Sequence, residues 1–230
     1  MPDAVGNATG VVIVAAGSGT RFGVQDKVFA PLASLPMVEH SLRVFLSHAS
    51  VCEIVLVMGT HTLDRGRDLA ARFGSRVQVA VGGATRLESV RAGVVALDAT
   101  IGMIVIHDAA RPLVTSALFN RLHDMATSTG AAVPVVQVAD TIYVADAAGA
   151  LDRVADRSVL RAAQTPQIAR RDWLELALAG ASVATDEGSL LHAAGYPVAL
   201  VDGDPGNIKV TLPSDLILAE VILAARKEAV

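Results

Sequence analysis

Runs of apolar residues of strand length recur along the chain: VVIVAA (11–16), EIVLVM (53–58), VQVAV (77–81), MIVIHD (103–108) and AAVPVV (131–136). Their near-continuous hydrophobicity, without strict alternation, suits strands buried on both faces. Helical stretches separate them, so the order predicts βαβ units and a mainly parallel sheet. One helix is signalled by a capping box, Thr85 with Glu88, ahead of Leu87, Val90, Val94 and Leu97 on one face. Another carries Leu118, Leu122 and Met125 and is closed by Gly130. The pattern then changes. DTIYVADAAGALDRVAD (140–156) alternates around an Ala-Ala-Gly turn and predicts a hairpin, an arm over roughly 138–160 that a plain doubly wound sheet does not need. With no repeat, low-complexity tract or linker, one domain over 1–230 is expected.

Composition narrows the class. Of 230 residues 52% are hydrophobic but only 3% aromatic, which fits a compact α/β interior. The net charge of -4 argues against a general binder of nucleic acid or membrane surfaces, so any affinity for anions must be local. The lone Cys52 permits no intramolecular disulfide, and it reads as a small residue at the edge of the core. The start, MPDAVGNATG, has neither a basic region nor an apolar one, and LILAEVILAA (216–225) is too short to span a bilayer and carries Glu220. A cytoplasmic protein is the expectation.

The stretch AAGSGTRFGVQDK (15–27) carries the first candidate chemistry. Small residues and glycines directly after a strand let backbone N–H groups approach a phosphate that any Cβ would keep away. The P-loop spacing is absent, and Phe22 stands where a dinucleotide-binding loop has its third glycine. A tight exposed turn would also read this way. Arg21 and Lys27 shift the balance, because two cations beside exposed donors suit a triphosphate undergoing substitution at phosphorus.

HDAARP (107–112) ends another apolar run. Ligands of open parallel sheets bind beyond the carboxyl ends of the strands, so Asp108 and Arg111 are expected to share a cleft with the glycine loop. Asp108 could hold Mg²⁺ there; an Asp capping a helix beside an Arg partner would look the same. His107 reads as a hydrogen-bonded core residue, and the six histidines have no metal-ligand spacing. In GGATRLES (82–89) the pair Gly82 and Gly83 again permits close approach, and Ser89 could reach a ligand. GNIKVT (206–211) supplies Lys209. Chemistry alone does not separate structural from functional roles for these last two stretches.

Taken together, AAGSGTRFG, GGATRLESV, HDAARP, DTI, QTPQ, TDEGSLL and NIKVTLPSDLILAE make the chain resemble the 2-C-methyl-D-erythritol 4-phosphate cytidylyltransferases, from Val11 to about Ala224. The resemblance implies a Rossmann-like sheet of nucleotidyltransferase type, whose β-hairpin arm interlocks two subunits of a homodimer. It implies CTP and methylerythritol phosphate as substrates and Mg²⁺ as cofactor. Ala15, Ala16 and Gly17 would line the nucleotide, Gly82, Gly83 and Ser89 would contact cytosine and ribose, and Ala109 would lie along the sugar. Arg21, Lys27 and Lys209 would neutralise the phosphates, with Asp108 at the metal. Arg111, Thr141, Arg157 and Thr165, with Asp108, would hold the methylerythritol phosphate. A sibling enzyme acting on another sugar-alcohol phosphate, such as ribitol 5-phosphate, would share the CTP half of this site. Members usually carry Pro-Lys-Gln or Pro-Lys-Ala where this chain reads Asp26-Lys27-Val28.

Overall fold

A computed structural model describes residues 8–17 and 26–228. In chain order the elements are β1 (Thr9–Ala15), β2 (Pro31–Leu32), β3 (Leu35–Pro36), α1 (Met37–Leu46), β4 (Val51–Met58), α2 (Leu63–Ala71), β5 (Val77–Val81), α3 (Arg86–Ala96) and β6 (Met103–Asp108). They continue as α4 (Ser116–Thr129), β7 (Ala131–Gln137), β8 (Tyr143–Ala145), β9 (Leu151–Val154), β10 (Arg161–Ala163), β11 (Gln167–Arg170), α5 (Arg171–Gly180), α6 (Glu187–Ala193), β12 (Ala199–Asp202) and α7 (Pro213–Glu228). The main sheet runs β10-β7-β11-β6-β1-β4-β5, with β12 paired to β7. β6, β1, β4 and β5 are mutually parallel, whereas β11 is inserted antiparallel between β6 and β7. The expected mainly parallel α/β sheet is therefore present.

Successive residues of β1 feed opposite faces of the sheet, as a period of two requires. Val11 and Ile13 join Phe45, Leu118, Phe119 and Leu122 beneath α1 and α4. Val12 joins Leu87, Val90, Val94 and Leu174 beneath α3 and α5. Each such side chain, fully buried, stabilises the fold by about 1.5–3 kcal/mol. Phe45 and Phe119 also meet edge to face, ring centres 5.2 Å apart. A smaller cluster, Leu32, Met37, Leu113, Val210 and Ala219, ties the β2–β3 turn and α7 to the segment that carries Lys209.

The local signals explain the helix ends. Thr85 accepts from the Glu88 amide while the Glu88 carboxylate accepts from the Thr85 amide, so the capping box that opens α3 is formed. α4 begins at a Thr115 cap and ends at Gly130, whose φ of 92° suits glycine. Met125 lies on α4 as expected but at its exposed rim, because the buried face is Leu118, Phe119, Leu122 and Ala126, whose centre lies toward Phe119. One expectation fails. Cys52, expected at the edge of the core, is exposed on β4 with its thiol toward the Ser50 carbonyl.

The predicted hairpin is β8 paired antiparallel with β9, and Asp146 closes its turn by accepting from the Ala148 and Ala150 amides. Tyr143, Leu151 and Val154 are exposed on it. No helix among the described residues is long and apolar enough to cross a membrane.

Candidate active site

The carboxyl ends of the parallel strands gather the residues that the sequence singles out. Ala15 closes β1 and Ala16 follows it; Met58 ends β4, and its carbonyl accepts from the Gly82 amide at 2.8 Å. A Cβ on Gly82 would lie 2.4 Å from the Ala16 Cβ and 2.8 Å from the Ser89 hydroxyl, so only glycine lets the two loops meet. Ser89 is buried; its hydroxyl donates to the Thr85 carbonyl and accepts from the Gly83 amide, which holds the glycine pair in place. Apart from its chain neighbours, no heavy atom of the described residues lies within 4 Å of where a Cβ on Gly17 would sit. Ala109 is buried and donates its amide to the Val14 carbonyl of β1. Arg21 lies outside the described residues.

Lys27 opens a single 3₁₀ turn behind Asp26, which adopts the left-handed conformation, φ 71°. Asp26 pairs with Arg65 at 3.0 Å and with His61 at 3.4 Å, which ties this turn to α2 and the short turn before it. The ammonium of Lys27 donates to the carbonyl of Val210 at 2.7 Å. That places it beside the residue that follows Lys209. Despite the unusual Asp26-Lys27-Val28 sequence, the lysine reaches the segment that carries Lys209.

Asp108, the last residue of β6, is the electrostatic centre. Its Oδ2 accepts from Lys209 at 2.6 Å and its Oδ1 from Arg86 Nε at 3.1 Å, while its backbone amide donates to the Thr165 hydroxyl. Burial pushes this carboxyl up, but Arg86 and Lys209 outweigh burial and hold its pKa at about 2. The carboxylate is thus an ionised oxygen donor at neutral pH. Arg86 in turn grips both oxygens of Glu187, at 2.7 and 3.0 Å. Neither Arg86 nor Glu187 is among the sequence-predicted site residues, although both lie in motifs that carry the resemblance, GGATRLESV and TDEGSLL.

His107 is buried, with Nε2 3.0 Å from the Arg111 carbonyl and Nδ1 3.3 Å from the Thr165 hydroxyl. Burial lowers its pKa to about 4, so it is a neutral core residue, as expected. Arg111 donates to the carbonyls of Asn207 and Ala163, and its buried Nε, like the buried Oδ1 of Asn207, has no hydrogen-bond partner among the described residues. Orphaned polar atoms at a cleft suit a site that takes up polar ligands. Arg111 and Lys209 line a cavity of about 850 Å³ together with Gln137, Gln164 and Gly203. Thr165 spends its hydroxyl on Asp108 and His107 and is buried.

Thr141 is exposed and precedes the hairpin. Arg157, which follows the hairpin, donates to the Ala139 carbonyl at 2.7 Å and lines a second cavity, of about 680 Å³, that adjoins the first through the shared residues Gln137, Ala139 and Arg161. Among the described residues no group of three or more His, Cys, Asp or Glu side chains forms a metal cage. A carboxylate flanked by Lys209 and Arg86 is instead a donor set that would suit a Mg²⁺ held mostly by substrate oxygens and water.

Comparison with known proteins agrees with this arrangement. The sequence model described as "IspD: 2-C-methyl-D-erythritol 4-phosphate cytidylyltransferase" matches residues 9–225. The chain is 40% identical over 223 residues to the 2-C-methyl-D-erythritol 4-phosphate cytidylyltransferase of Bacillus velezensis, covering 94% of this chain and 95% of that protein. It is 37% identical over 222 residues to the bifunctional enzyme IspD/IspF of Desulfotalea psychrophila, covering 95% of this chain but only 57% of that longer protein. The crystal structure of the Thermus thermophilus cytidylyltransferase superposes with a TM-score of 0.76 at 32% identity, covering 94% of this chain and 98% of that one. With a strand-end cleft of lysines, arginines and one ionised aspartate and a family match over nearly its whole length, the chain belongs to the 2-C-methyl-D-erythritol 4-phosphate cytidylyltransferases, which transfer CMP from CTP to that alcohol phosphate in the non-mevalonate isoprenoid pathway.

Proposed function

We propose that the strand-end cleft carries out this transfer with Lys27, Lys209 and Arg21 on the phosphates, Asp108 at a Mg²⁺ ion, and the Gly82–Gly83 turn against the cytosine. The observation that carries the reading is the convergence of Lys27 on the Val210 carbonyl and of Lys209 on Asp108, which brings two ammonium groups to one end of the sheet. An oxygen of the acceptor's phosphate forms the new bond to the α-phosphorus of CTP, the bond from that phosphorus to the β-phosphate oxygen breaks, and pyrophosphate leaves with the electron pair. The attacking phosphate is already anionic, so the reaction needs no protein base, and the neutral, doubly hydrogen-bonded His107 is not asked to act as one. The chain's task is to align the two phosphates and to place positive charge where negative charge grows. Mg²⁺ held at Asp108 would add to that neutralisation.

Ala15, Ala16 and Gly17 would lie along the nucleotide, with Ser89 and Ala109 shaping its sugar and base side. Arg111 would take the acceptor phosphate beside Lys209, with the Thr165 hydroxyl holding the backbone amide of Asp108. Thr141 and Arg157 would serve the site of a partner subunit, which makes the working unit a homodimer in the cytoplasm. The acceptor is tested by steady-state pyrophosphate release. Methylerythritol phosphate should give a kcat/KM at least about a hundredfold above ribitol 5-phosphate, since a site built to hydrogen-bond one polyol leaves its polar groups unpaired with another. Comparable values would make the enzyme a sibling of different acceptor choice.

A further inference from the structure

Glu187 is the least exposed carboxylate of the cluster, its side chain only 5% accessible, and both its oxygens face Arg86. It opens α6, behind the Asp186 cap, and Gln167 locks that end of the helix by accepting from the Gly188 amide and donating to Asp186. Arg86 opens α3, where the positive end of the helix dipole disfavours a cation. Burial, too, works against its charge, and Glu187 and Asp108 offset both effects. A chain that spends a buried carboxylate on holding an arginine in such a place uses the arginine for its geometry.

That geometry divides the carboxylate of Asp108. Nε and one terminal nitrogen of Arg86 both lie 3.1 Å from Oδ1, whereas among the described residues Oδ2 meets Lys209, at 2.6 Å. Lys209 is the exposed member of the group, 44% accessible, and Arg86 is 25% accessible. Two carboxylates and two cations balance while Lys209 stays on Asp108. When Lys209 turns to a phosphate, the remaining three carry one net negative charge, on the oxygen that faces the ligands. A guanidinium is a rigid fork that readily takes both oxygens of one carboxylate. With its fork occupied by Glu187, Arg86 cannot do that to Asp108.

Resting on the proposed site, we propose that Arg86 is a positioning residue for the transfer: clamped by Glu187, it pins Oδ1 of Asp108 and keeps Oδ2 turned to Lys209 and the reacting phosphates. Removing the clamp while keeping the shape, Glu187→Gln, should let Arg86 swing onto both Asp108 oxygens. The expected result is a fall in kcat of about ten- to a hundredfold with KM for CTP within about threefold, the scale of losing a residue that orients a ligand. Arg86→Lys keeps the charge but lacks the fork, and should not restore turnover. Binding of Mn²⁺ to the enzyme–CTP complex, followed by electron paramagnetic resonance of free Mn²⁺, should weaken about tenfold in both variants.

A buried ion pair can also be a matter of folding alone, and breaking one partner can unfold a protein. The double variant Arg86→Met with Glu187→Leu removes both charges and fills the space, so it should keep its melting temperature within a few degrees and still lose turnover and Mn²⁺ affinity. Wild-type kcat and Mn²⁺ affinity in the double variant, or in Arg86→Lys, would overturn the positioning role. A wild-type protein that released no pyrophosphate from CTP and methylerythritol phosphate would instead overturn the reading of the site on which the role rests.

Discussion

Lys209→Ala should lower kcat by two to three orders of magnitude while KM for CTP moves only a few-fold, and Lys27→Ala should do the same. The physical ground is that charge on the phosphates grows chiefly on the way to the transition state, so a cation placed there contributes more to the barrier than to binding. Removing one preorganised donor from such a site costs about 10²- to 10³-fold in kcat. For Lys209 a second effect acts in the same direction. Without it, Asp108 Oδ2 loses its 2.6 Å partner and Arg86 becomes the remaining cation of the pair of contacts on that carboxylate. Lys27 is anchored through the Val210 carbonyl, so its loss leaves the Asp108 cluster intact and isolates the phosphate-directed charge. Single-turnover and steady-state rates over a range of CTP check both variants. An effect confined to KM in either would make that lysine a binding contact only.

The second large effect is a recovery of activity. A two-stranded hairpin alone is marginal in water, and β8 and β9 leave Tyr143, Leu151 and Val154 exposed on the single chain. If the arm packs on a partner and Arg157 serves that partner's acceptor phosphate, a Lys27→Ala chain and an Arg157→Ala chain complement each other. In a mixed dimer one site carries both lesions and the other carries neither. Random pairing makes half of the dimers mixed, so co-expression of the two inactive chains should restore about a quarter of wild-type activity under two-fold symmetry. Mixed dimers, isolated by two different affinity tags, that stay as inactive as their parents would place Arg157 in its own subunit's site.

The parallel half of the sheet was legible because strands buried on both faces must be apolar throughout: VQVAV and MIVIHD coincide with β5 and β6 to the residue. The capping box at Thr85 and the glycine stop at Gly130 were legible because each is settled within a few residues of chain. β11 and β12 were not. Four residues each, they are held by pairing with β6 and β7, which short-range periodicity does not register. The same distinction runs through the site. Lys27, Asp108 and Lys209 stand out by their loops, whereas the Arg86–Glu187 pair joins residues 101 positions apart and has no local signature beyond its place in two motifs.

The central claim is a cytidylyl transfer, and pyrophosphate release measured with CTP, UTP, ATP and GTP in turn, at saturating methylerythritol phosphate and Mg²⁺, tests it most directly. The Gly82 and Gly83 amides are taken by the Met58 carbonyl and the Ser89 hydroxyl, so the expected readout of the base falls to the carbonyl acceptors of this turn, which would take the exocyclic amine of cytosine. A base that leaves such groups unpaired is rejected strongly, so CTP should exceed the purine nucleotides in kcat/KM by more than about a hundredfold. Release should also depend on the alcohol phosphate. Comparable turnover with ATP, or pyrophosphate released at the same rate without the acceptor, would contradict the account.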